Sequence, residues 1–211
     1  MADRKPWPEL MILHQTKTVA KPTTTQVSIP GKHIPGEPGV FIFALIDMTV
    51  FALMFAFYVY YQSLAQDTFA ASQTTLSLGF GTINTLVLII SSWLLVLGIK
   101  AMKQAAYIKS QILVSGTIIC GLIFIGSKVV EYRYELGLGN TMLSNDFFMF
   151  YYILTGLHLL HAIIGLGLLL YILHLTSVRH KHTLFATESV GTYWHMVDLL
   201  WIAIFALLYI A

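Results

Sequence analysis

Asp47 interrupts a run of apolar residues, flanked by Ile46 and Met48, with no basic residue within a helical turn of it. An acid or base at the centre of a membrane-spanning helix costs roughly 2.5–3.5 kcal/mol on insertion scales, so each one needs a partner or a task. For Asp47 there are two readings. One is an interhelical hydrogen bond from a protonated carboxyl; the other is a proton-handling or gating acid. A single residue does not decide between them.

His158 and His161 lie three apart within another apolar stretch, and His195 and Asp198 lie three apart within a third, beside Trp194 and Trp201. That spacing puts each pair on one helix face. An imidazole facing a carboxylate or hydroxyl across a helix pair makes a satisfied buried network. The sharper alternative is metal or haem ligation, since neutral imidazole is a common ligand. A zinc site wants three or four ligands, however, and this spacing is not that of a His-Glu-x-x-His helix. Lys128 and Glu131 are also three apart, at the end of an apolar run. They read as an ion pair that snorkels to the membrane boundary. No glycine-rich phosphate loop, nucleophile elbow or Cys–His pair occurs, so the chain shows no self-sufficient active site.

These residues must be positioned by helices in lipid. The chain has 211 residues, 57% hydrophobic and only 10% charged. A soluble globular chain carries about 25% charged residues. So little charge cannot cover a water-facing surface. Spanning the hydrocarbon core as a helix takes about 20 apolar residues, and five stretches qualify: about 40–61, 82–99, 111–130, 147–174 and 190–211. Long continuous runs exclude β-barrel strands, which alternate over about 10 residues. The expected fold is an all-α membrane protein, a bundle of five transmembrane helices over 40–211, behind an N-terminal arm over 1–39. That arm has no apolar core of signal-peptide length.

Positive charges give a direction. Arg4, Lys5, Lys17, Lys21 and Lys32 lie in the arm, Lys100, Lys103 and Lys109 in the second loop, and Arg179 and Lys181 in the fourth. All fall on one side of the membrane, opposite Lys128 and Arg133. The N-terminus is therefore expected to be cytoplasmic and the C-terminus external. Small residues four apart, Ala52/Ala56 and Gly116/Cys120, are candidates for close helix contacts. The slight positive net charge and the absence of a Lys/Arg run argue against nucleic acid as a partner. The single cysteine, Cys120, allows no internal disulfide.

Five strings, taken in order, resemble subunit III of the haem-copper oxidase family. They are Gly39-Val-Phe-Ile-Phe-Ala-Leu-Ile-Asp47, Asn84-Thr85 with Ser91-Ser92, Phe124 through Glu131-Tyr132, Thr155-Gly156-Leu-His158-Leu-Leu-His161, and Tyr193-Trp194-His195-Met-Val-Asp198-Leu-Leu-Trp201. The longer family members have seven helices, and this sequence has counterparts of the last five. The missing pair forms half of the family's V-shaped lipid-holding cleft. Asp47 stands where many members have Glu, and Lys128 where Gln is common. Lys128, Phe148-Met-Phe-Tyr-Tyr and His195-Met-Val-Asp198-Leu-Leu-Trp201 look more like the branch associated with bacterial nitric oxide reductase, with a quinol or cytochrome c oxidase subunit III close behind.

The resemblance implies a non-catalytic accessory subunit in the bacterial cytoplasmic membrane. Its partners would be a large haem-containing catalytic subunit of the subunit I type, other subunits of the complex, and membrane lipids. It would hold no cofactor itself; haem and copper, or non-haem iron, would belong to the partner. Its task would be to support proton uptake, stability or assembly. Asp47 would be the intramembrane acid, and His158, His161, His195, Asp198, Glu131 and Lys128 the buried polar network. Two other functions fit the residues alone: an independent proton or small-solute carrier, and a haem-binding membrane cytochrome.

Overall fold

The computed structural model describes residues 38–178 and 183–210. The arm expected over 1–39 lies outside the described residues apart from Pro38 and Gly39, and so do Arg179 and Lys181 of the fourth loop. The described residues form α1 (Pro38–Leu64), α2 (Gln66–Gln73), α3 (Leu78–Lys103), α4 (Tyr107–Gly137), α5 (Asp146–Val178) and α6 (Thr183–Phe205), with a π-helical turn over Ala206–Ile210. No strand occurs among them. All but α2 are long and apolar enough to cross a membrane. The protein is an all-α membrane bundle.

The helices run past the apolar windows because a helix does not stop at its first polar residue when that residue finds a partner. The clearest case is α4, which continues through Glu131 and Glu135 to Gly137. Two residues beyond, the chain turns away at Gly139, whose φ of 84° suits glycine. There the Asn140 N–H reaches back to the Glu135 carbonyl at 3.0 Å, which closes the last turn.

The polar stretch between the first two apolar runs holds α2. Its Phe69 is buried and fills a gap beside Tyr58 at 5.3 Å and Phe147 at 5.8 Å between ring centroids. Packing of one aromatic ring onto others makes a short helix worthwhile where hydropathy gives no signal.

Burial grades across the bundle. α6 is the most enclosed of the long helices, and α1 is the most peripheral. α1 buries a narrow stripe, Ala44, Phe51 and Tyr58, spaced by seven. That stripe turns Ala52 and Ala56 outward, where both are exposed, so this small-residue pair makes no close contact within the chain. At the centre, Trp194 of α6 wedges between α4 and α5. A Cβ at Gly121 would lie 3.1 Å from its ring, and one at Gly165 only 2.8 Å. Two absent side chains make the room for one indole.

Candidate functional site

Asp47 is not isolated in the fold. α5 brings His161 to it, with 3.1 Å between Asp47 Oδ1 and His161 Nε2 and both side chains about nine-tenths buried. The other ring nitrogen, Nδ1, lies 2.8 Å from the Leu157 carbonyl one turn back. A carbonyl only accepts, so Nδ1 carries a hydrogen. The contact with Asp47 therefore holds one proton, either on an imidazolium facing a carboxylate or on a carboxyl facing a neutral imidazole. Asp47 Oδ2 has no partner among the described residues. Phe51 packs edge-on against the imidazole at 5.8 Å, and the Tyr193 hydroxyl donates to the His161 carbonyl at 3.1 Å.

Lys128 and Glu131 do pair, at 3.0 Å, but not at the boundary: their side chains are 0% and 1% exposed. The expected snorkelling is corrected to full burial, because α5 and the C-terminal turn close over them. Lys128 Nζ donates to Glu131 Oε2 at 3.0 Å, Tyr151 Oη at 3.2 Å and Tyr209 Oη at 3.3 Å. An ammonium has three hydrogens, and all three are used. Tyr151 in turn donates to Glu131 Oε1 at 2.8 Å, and Tyr209 donates to the same oxygen. The loop of donors and acceptors closes on itself. Taking two charges out of water is costly unless the remaining lone pairs and protons are satisfied, and here they are.

His195 uses Nδ1 on the Ser92 hydroxyl of α3, 2.6 Å away. Asp198 lies on the same side of α6, buried with its carboxyl group facing the Ser92 hydroxyl. His158 is fully buried, and neither ring nitrogen has a hydrogen-bond partner among the described residues. It is held by rings instead, Phe124 at 5.5 Å and Trp201 at 5.3 Å. The expected network is thus three separate groups: Asp47 with His161, Lys128 with Glu131, and His195 with Ser92 and Asp198. His158 stands between the first two.

Several members escaped the sequence reading. Glu135, one turn after Glu131, is fully buried and accepts from Asn140 Nδ2 at 2.8 Å; its four-residue spacing was the available signal. Tyr151 and Tyr209 carry the ion pair's remaining hydrogen bonds but sit in sequence among many aromatics. Asn84 is buried, and neither polar atom of its side chain is hydrogen-bonded among the described residues. Among the described residues no three His, Cys, Asp or Glu side chains converge as a metal-ligand set.

No family model matches the chain. Curated relatives do. It is 33% identical over 179 residues to cytochrome c oxidase subunit 3 of Thermostichus vulcanus, covering 82% of this chain and 85% of that one. It is 29% identical over 199 residues to a probable cytochrome c oxidase subunit 3 of Nocardia farcinica, covering 88% and 98%. A probable quinol oxidase subunit 3 of Staphylococcus haemolyticus is 27% identical over 175 residues, covering 81% and 86%.

Proposed function

The chain belongs to the haem-copper oxidase subunit III family, and on that footing we propose that it docks on a large haem-containing catalytic subunit of the subunit I type. It is a multi-pass membrane protein and an accessory subunit that associates with other oxidase subunits. The membrane is the bacterial cytoplasmic one, and the haem and copper belong to the partner. Within the complex this subunit supports proton uptake and keeps the catalytic subunit stable through many turnovers. The relatives are named as oxidases, which favours an oxidase partner over a nitric oxide reductase.

The observation that carries the reading is the Asp47–His161 contact. It lies on the most peripheral long helix, whose outer surface shows Leu45, Ile46, Leu53 and Phe57. An apolar helix face bearing a one-proton pair at its inner edge suits a subunit that meets a larger membrane partner and hands protons on within lipid. The buried Lys128–Glu131 group, already saturated, has a structural role.

Purification in mild detergent tests this. A large subunit with a haem spectrum should co-purify, and the separated chain should show no Soret band and move no protons in liposomes. Stoichiometric haem on this chain alone, or proton transport by it alone, would overturn the reading.

A further inference from the structure

The turn joining α3 to α4 spans only Gln104, Ala105 and Ala106. Ala105 adopts a left-handed φ of 57°. Its N–H reaches the Met102 carbonyl and that of Ala106 reaches Ala101, both at 2.9 Å, the paired bonds that reverse a helix sharply. So tight a reversal places two lysines on opposite lips of one cleft. Leu97, Lys100, Ala101 and Gln104 share a face of α3 by their spacing, and Lys109 and Leu113 share a face of α4. Together these residues line a cavity of about 280 Å³.

Lys109 and Leu113 also line a second groove of about 640 Å³, whose other walls include Tyr107, Ile108 and Ile112. Ile108 and Ile112 are 73% and 67% exposed, so this groove opens outward along an apolar helix. The two spaces meet at a shared lysine and differ in chemistry: one has two ammonium groups and a carboxamide, the other is hydrocarbon. Lys100 and Lys109 make no ion pair among the described residues, whereas Lys103 in the same turn is bound to Glu188 at 2.8 Å.

We propose that this hairpin binds one anionic phospholipid, its phosphate between Lys100 and Lys109 with Gln104 donating, and an acyl chain along Ile108 and Ile112. Basic pockets between membrane helices favour such headgroups. A soluble anion would have no use for the adjoining groove, and a zwitterionic lipid already neutralises its own phosphate.

Trp93 provides a local reporter. It is 63% exposed and lies on the Leu97–Lys100 stripe two turns from the cleft, about 10 Å along the helix, a depth that mid-chain bromines reach. The full-length chain in mixed micelles is titrated with phosphatidylglycerol or phosphatidylcholine brominated at mid-chain, following tryptophan quenching. Two lysines at headgroup level should make phosphatidylglycerol quench at a mole fraction roughly 30-fold lower. K100Q/K109Q should remove that preference, K100R/K109R should keep it, and K103Q should leave it intact. Equal quenching by the two lipids would overturn the proposal. So would an equal loss in K103Q, which would mean diffuse charge, or displacement by glycerol phosphate as readily as by phosphatidylglycerol, which would mean the acyl groove is idle.

Discussion

Trp201 touches both His158 and Lys128: its ring lies 5.3 Å from the imidazole and 5.4 Å from the ammonium. The indole N–H is committed to Thr85 Oγ1 of α3 at 3.1 Å, which fixes the ring in place. The one-proton pair at Asp47 and the saturated ion pair at Lys128 do not share hydrogen bonds, and lesions in the two should act on different properties.

Asp47→Asn keeps the shape of the side chain and can still donate to a neutral His161 Nε2, but it cannot take or give the shared proton. Assembly and initial oxidase rate should stay near wild type, with less than about 1 kcal/mol lost in stability. Activity over prolonged turnover, or the rate of proton uptake, should fall several-fold. A time course identical to wild type would remove Asp47 from any proton role.

Lys128→Met should behave in the opposite way. It strands Glu131 as a buried unpaired charge, which costs about 3–5 kcal/mol. The chain should fail to accumulate in the membrane or melt far lower in detergent. K128M/E131L, which removes both charges, should recover most of that loss. If the double variant is as unstable as the single one, packing of the lysine stem, rather than charge pairing, dominates the site.

How far the sequence carried these conclusions depended on the range of the interaction concerned. Five apolar runs are local facts, and they became the five long helices. Acids and imidazoles within them could be picked out one by one, because each is costly where it stands. Their partners could not. His161 answers Asp47 from α5, more than a hundred residues on, and periodicity along one helix says nothing about which helix faces it. The reading of Lys128 as snorkelling failed for the same reason: burial at the end of α4 is imposed by Tyr209 at the far end of the chain. α2 escaped because its single buried ring carries no hydropathy signal.

His195→Leu removes the imidazole that meets the Ser92 hydroxyl at 2.6 Å in the α3–α6 contact. A buried polar group left without its partner costs about 1–3 kcal/mol. Folding or docking of this subunit should weaken, while the haem spectrum of the assembled complex stays as it was. His195→Gln, which can still hydrogen-bond, should restore part of the loss. A missing or shifted metal centre in the leucine variant would mean that the imidazole is a ligand.

Ala105 is the one non-glycine residue with positive φ among the described residues, and its turn sets the spacing between Lys100 and Lys109. A left-handed conformation costs an L-residue about 1–2 kcal/mol through contact of Cβ with the following carbonyl. Glycine escapes that contact, but it gives back about 0.4–1 kcal/mol through the greater freedom of the unfolded chain. Ala105→Gly should therefore raise stability by about 0.5–1 kcal/mol, seen as a higher thermal midpoint in detergent, with the preference for phosphatidylglycerol unchanged because no side chain that holds the lipid has moved. A lower midpoint would show that the Ala105 methyl makes a contact worth more than its strain. A higher midpoint accompanied by a lost lipid preference would show that strain at this turn is what holds the two lysines at their binding distance.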